Sequence, residues 1–88
     1  MIGFVYILED ERGRYYIGST TDIKRRLRQH GYGHTKTTSR MKNQRVVLAQ
    51  KYPTLKEARD IERKIKGLKR KDYISRMISD GSIKMMPS

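Results

Sequence analysis

Gly3-Phe4-Val5-Tyr6-Ile7-Leu8-Glu9, then Asp10-Glu11-Arg12-Gly13, then Arg14-Tyr15-Tyr16-Ile17-Gly18-Ser19 is the stretch that decides the fold. Its first segment alternates Val5 and Ile7 with Phe4, Tyr6 and Leu8, so apolar side chains leave a strand on both faces. The middle segment is turn chemistry, with Gly13 free to take a positive φ. The last segment reads as the returning strand of a hairpin. Because neither face is polar, both faces of this hairpin must be at least partly covered. A turn centred on Glu11 would set Tyr6 opposite Tyr16 with both hydroxyls on one face; a slip of one residue would send them to opposite faces.

Working outward, Thr20, Thr21 and Asp22 offer capping oxygens, and Ile23 to His30 carries a helical period that Gly31 and Gly33 end. Gly31 to Asn43 is a polar, basic loop near the upper length for one without its own structure. Arg45 to Tyr52 reads as a third strand, ended by Pro53. Thr54-Leu55-Lys56-Glu57 is a capping-box pattern opening a helix that runs to about Lys66, where Gly67 interrupts it. A last helix, from about Arg70 to Ser79, is expected before Asp80-Gly81. The expected fold is α+β: a small three-stranded antiparallel sheet packed with about three helices. One domain over residues 1–80 and a tail over 81–88 account for the 88 residues.

Composition narrows the partners. Lys and Arg total 21 against nine Asp and Glu, a formal net charge of +12. So basic a small domain attracts polyanions, nucleic acid first among them. Anionic lipid is the rival, but no long amphipathic helix with a broad aromatic face supports it, and no membrane association is expected. With no cysteine, disulfides and thiolate metal sites are excluded, which is compatible with a reducing cytosol. The start Met1-Ile2-Gly3-Phe4 lacks a basic flank and a cleavage site, so no signal peptide is expected.

Polar groups in apolar slots point to chemistry. Ile23, Arg26, Leu27 and His30 share one face of the first helix, which aims Arg26 at the body of the protein. Lys24, Arg25 and Arg28 point elsewhere, as solvated charge suited to phosphate. In the second helix Ala58, Ile61 and Ile65 mark the buried stripe, and Glu62 falls within it. A carboxylate there needs a cation, from the protein or a metal ion; spacing by itself favours the plainer alternatives, a pair with Lys66 at i+4 or a place at the edge of the stripe. Paired tyrosines in a hairpin are, by themselves, ordinarily packing. His30 and His34 are separated by two glycines that break the helix needed to align them as ligands.

These oddities coincide with a family pattern. Phe4-Val5-Tyr6, Tyr16-Ile17-Gly18, Arg26 ten residues after Tyr16, and Glu62 in a second helix resemble the GIY-YIG nuclease domain, over about residues 2 to 78. The context from Tyr15 to Thr20, with Leu27 and His30, and the run from Glu57 to Gly67 are similar to its small stand-alone members. The resemblance implies that Tyr6 is the general base on the attacking water and that Tyr16 orients water or phosphate. It implies that Arg26 stabilises phosphate charge, that Glu62 holds one metal ion (Mg²⁺ or Mn²⁺), and that His30 lies near the scissile phosphate. A guanidinium and a divalent cation suit hydrolysis, whose transition state gathers charge on phosphate oxygens. A tyrosine, however, is a poor base near its ordinary pKa of about 10 unless neighbouring cations lower it. Two positions depart from the pattern: Phe4-Val5 replaces Gly-Ile, and Lys71-Asp72-Tyr73-Ile74 lacks the late asparagine of many members.

The expected activity is therefore metal-dependent endonucleolytic hydrolysis of DNA, sooner than RNA, with low sequence preference because backbone charge outweighs base-reading elements. Lys24, Arg25, Arg28, Lys36, Arg40 and Lys42 are the expected nucleic-acid contacts. The alternative is a non-catalytic nucleic-acid-binding module of the same fold acting with a partner. A cytoplasmic location, nucleoid-associated in a bacterium, and a repair or recombination role would accompany either.

Overall fold

The computed structural model describes residues 1–31 and 44–85, with β1 over Gly3–Glu9, β2 over Tyr15–Thr20, α1 over Ile23–Gly31, β3 over Arg45–Tyr52, α2 over Leu55–Leu68 and α3 over Lys71–Asp80. The three strands form one antiparallel sheet in the order β2-β1-β3. Central placement of β1 explains its apolar character on both faces: Val5, Tyr6, Ile7 and Leu8 are all buried. Val5 and Ile7 join Ile17 and Leu48 on one side of the sheet, where Ala58, Ile61 and Ile65 of α2 and Ile74 of α3 close the core. No helix among the described residues is long and apolar enough to cross a membrane.

The hairpin turn is built around Asp10. Its backbone N–H donates to Arg14 O and its carbonyl accepts from Gly13 N–H, each at 3.0 Å, while Gly13 takes φ 76°. The Asp10 side chain is fully buried and accepts from the backbone N–H groups of Arg12 (3.0 Å) and Arg14 (2.8 Å) and from Arg14 Nε (2.7 Å). This Asx-type closure centres the turn on Arg12 instead of Glu11, so Tyr6 pairs with Gly18 and Leu8 with Tyr16. The register thus differs by two residues from the expected one. An even shift preserves the faces, and the two tyrosines remain on one side as diagonal neighbours.

Two boundaries differ from expectation. Gly67 does not interrupt α2; the helix continues to Leu68 and ends where Lys69 turns left-handed at φ 51°. Residues 81–88 read as a tail, yet Ile83 is buried and its backbone is clasped by the Gln50 side chain, which accepts from Ile83 N–H (2.7 Å) and donates to Ile83 O (3.0 Å). The start of α2 follows the sequence: Thr54 Oγ1 accepts from Glu57 N–H at 3.1 Å, the forward half of the capping box.

Burial acts to raise the Asp10 carboxyl, but the Arg14 backbone N–H, the Arg14 guanidinium and the Arg12 N–H outweigh it and hold it below the ordinary 3.8. A carboxylate depressed in the folded state contributes stability above its unfolded pKa and loses it as pH falls through the folded one. Asp10→Asn is expected to lower the urea midpoint at pH 7, and the gap to the parent chain should close below about pH 4.

Candidate active site

The site begins with a missing side chain. Gly18 lies directly across from Tyr6, and a Cβ at Gly18 would fall against the Tyr6 hydroxyl and 2.6 Å from its Cζ. The Tyr6 ring therefore lies across the Gly18 backbone toward the free edge of β2, a path only glycine leaves open. Tyr16, the diagonal neighbour, meets it with ring centroids 6.3 Å apart and planes tilted by 36°. Tyr6 is 1% exposed, whereas Tyr16 is half-buried.

Four expected residues converge at this edge. Tyr6 and Tyr16 come from the hairpin, Arg26 from α1 and Glu62 from α2, and the charges of both Arg26 and Glu62 act on the Tyr6 hydroxyl. Burial pushes that hydroxyl well above its ordinary 10, and Tyr16 adds to the effect, by charge and by a hydrogen bond that favours the protonated form. Arg26 pulls the other way and Glu62 reinforces burial. The expected influence of Arg26 is present in sign, but burial outweighs it, so the hydroxyl is a weaker acid than a free tyrosine and not the stronger one a general base requires.

Glu62 is partly buried on α2. One carboxylate oxygen accepts from Ser19 Oγ, and the other pairs with Lys66 Nζ at 2.7 Å. Of the two cations foreseen for Glu62, the helical neighbour Lys66 is in place, and the charge of Glu62 also acts on the Tyr6 hydroxyl. Ser19 is the member that sequence reasoning missed. The signal lay in the alternation of β2, which sends Tyr15, Ile17 and Ser19 toward the helices and so sets a small polar side chain in a core-facing row. Among the described residues no group of three or more His, Cys, Asp or Glu could hold a metal ion. A lone carboxylate beside a hydroxyl suits a cation that keeps most of its water, as magnesium does.

Three further expected residues lie on the surface of α1. Lys24, Arg25 and Arg28 are exposed on α1, and Arg25 joins Arg26, Thr20 and Asp22 around a small cleft of about 210 Å³. Asp22 caps α1 by accepting from Arg25 N–H at 3.1 Å. The His30 side chain, Lys36, Arg40 and Lys42 lie outside the described residues.

Residues 2–75 match the family model of the GIY-YIG catalytic domain. UPF0213 protein BH0048 of Halalkalibacterium halodurans is 36% identical over 69 residues, covering 77% of this chain and 73% of that protein. A UPF0213 protein of Streptococcus pneumoniae is 38% identical over 68 residues (76% and 69%), and UPF0213 protein lwe0147 of Listeria welshimeri is 36% identical over 76 residues (85% and 84%). The solution NMR structure of the UPF0213 protein BH0048 from Bacillus halodurans superposes with a TM-score of 0.59 at 34% identity, covering 92% of this chain and 87% of that one. The expected fold class is thereby shown.

Gly18→Ala is expected to displace the Tyr6 ring and cost about 1–3 kcal/mol of stability, as overpacking of a filled core does. Urea unfolding gives the loss, and the aromatic proton shifts of Tyr6 and Tyr16 report the displacement.

Proposed function

The chain belongs to the GIY-YIG nuclease family, and from that premise we propose that it is a metal-dependent endonuclease that hydrolyses DNA with low intrinsic sequence specificity. The observation that carries the reading is the gathering of four residues along β2: Tyr6 packs on Tyr16, Glu62 is bonded to Ser19, and Arg26 shares a cleft with Thr20. Hydrolysis adds negative charge to the phosphate in the transition state, and Arg26 is a fixed positive charge with planar donors for it. Glu62 would hold one divalent ion, which supplies further positive charge to the phosphate oxygens when bound. Ser19 fixes one oxygen of that carboxylate, so its orientation is set before any ligand arrives. Tyr6 and Tyr16 position the attacking water by hydrogen bonding. Tyr6 can accept the water's proton only as the phenolate, after its own proton has passed to solvent, and that loss requires surrounding positive charge to outweigh burial.

Lys66 has a part in this site. Its ammonium neutralises the carboxylate that the metal requires, so the two cations compete for Glu62. The same ion pair favours the second reading, a nucleic-acid-binding module that does not cleave.

Labelled single-stranded, duplex and branched DNA, with RNA in parallel and with magnesium or manganese, decide between them. Metal-dependent product is expected from the parent chain, and Arg26→Ala and Glu62→Ala are each expected to lose at least about 100-fold in rate while retaining salt-sensitive binding. No product from the parent chain, with binding intact, would favour the binding module. Lys66→Met is expected to tighten Mn²⁺ binding several-fold in a calorimetric titration without DNA; unchanged affinity would remove Lys66 from the competition.

A further inference from the structure

We propose that the groove between β2 and the α2–α3 connection is a binding subsite for one unstacked nucleotide of the substrate strand, beside the reacting phosphate. The inference rests on the nuclease reading and deepens it by naming the form of substrate. The groove encloses about 650 Å³, within the size range of pockets that take small organic ligands. Its lining is largely apolar, with Ile17, Ile65 and Ile74 of the core beside Tyr15, and Tyr16 at its border. Its rim is cationic, and its cations differ in what they already hold.

Arg14 and Arg70 face carboxylates of their own, Asp10 at 2.7 Å and Asp72 at 2.8 Å. Lys69 and Lys71 have no carboxylate partner among the described residues. Lys71 Nζ lies 5.6 Å from the Tyr15 ring centroid, over its face. The left-handed turn at Lys69 (φ 51°) is what ends α2 and carries both lysines around to the rim.

An apolar, aromatic lining under a cationic rim matches a nucleotide part by part: the base lies against the lining and the flanking phosphates meet the lysines. Free phosphate would have no use for the lining. A stacked base pair could not reach it, because its neighbours cover both faces of each base. The groove is also continuous with the active site. Tyr16 forms its wall and packs against Tyr6, and Lys66 lines it while holding Glu62 at 2.7 Å. A strand with its reacting phosphate at Arg26 and Glu62 therefore passes over this groove on the Tyr16 side. Single-stranded flanks, overhangs and branch points offer such a nucleotide without the cost of unstacking a duplex.

The test is binding in the presence of EDTA, where no cleavage occurs, read by fluorescence anisotropy on oligonucleotides carrying one abasic position at each site in turn. A single position is expected to weaken binding roughly tenfold, the worth of one stacked base. Strands with an overhang should bind tighter than blunt duplexes. Lys69→Ala combined with Lys71→Ala, both exposed positions, is expected to reduce the slope of log K against log salt by about 1.4, equivalent to two single-strand phosphates. A flat abasic scan overturns the nucleotide subsite, even if the salt slope falls, and leaves the nuclease reading standing wherever metal-dependent cleavage is seen. Failure of the parent chain to bind any nucleic acid overturns both.

Discussion

Tyr6 can reach the edge of the sheet only because Gly18 stands opposite it. That close approach of a buried aromatic ring to bare backbone ties the pairing of β1 and β2 to the placement of the reactive groups. A residue with a Cβ at position 18 would collide with the ring, and a slip of one residue would turn Tyr6 into the α2 face. The hairpin turn enforces the same register from the other end, where Asp10 gathers two backbone N–H groups and a guanidinium into one buried carboxylate. The glycine sits in the middle of the strand pair and the turn closes one end of it, and each would be strained if the other were displaced. Arg26 and Glu62 are then brought to a fixed hydroxyl from two separate helices.

The two faces of the sheet divide the labour. The face carrying Val5, Ile7 and Ile17 packs on α2 and α3 and forms most of the core. The other carries the two tyrosines. Since β2 is an edge strand, a group from the helical side can meet one from the tyrosine side around its free border. Ser19 marks that crossing: it belongs to the helix-facing row of β2, yet it bonds Glu62, whose charge is felt by Tyr6. Because burial, with Tyr16 and Glu62 adding to it, holds the Tyr6 proton firmly, the chemistry proposed for this site depends on positive charge brought to its border.

Charge is organised more finely than a net value of +12 conveys. Arg14, Arg63, Lys66 and Arg70 each face a carboxylate, and for the exposed ones such pairs contribute little to stability. Among the described residues, Lys24, Arg25 and Arg28 on the exposed face of α1, and Lys69 and Lys71 on the rim of the groove along β2, face no carboxylate within an ion-pair distance. A strand held between those two places would cross the tyrosine edge. This is the arrangement expected where phosphate contacts set position and sequence is scarcely read.

Several features were legible in the residues themselves. Alternation in β1, the glycine and proline breaks, and the helical spacing of Ala58, Ile61 and Ile65 determined the order of elements and the α+β class, because local periodicity reports which faces must be buried. Tyr6, Tyr16, Arg26 and Glu62 carried a resemblance to the family that the family-model match over residues 2–75 shows, and the polar intrusion of Arg26 and Glu62 into apolar stripes marked them for the site. Tertiary structure decided what depends on non-local geometry. The two-residue change in register followed from the hydrogen bonds of Asp10, which the turn sequence permits but does not dictate. Gly67 stays helical because α2 is held by Ala58, Ile61 and Ile65 against the sheet, and packing outweighs the weak preference of one glycine. Ser19 meets Glu62 across 43 positions of sequence, and Ile83 joins the core through Gln50, 33 positions away. The basic run Lys69-Arg70-Lys71 is plain in the sequence, but only the left-handed turn at Lys69 sets it over Tyr15 and Ile74. Sequence periodicity records which side of an element is apolar; which charges and rings then face one another is settled when the elements pack.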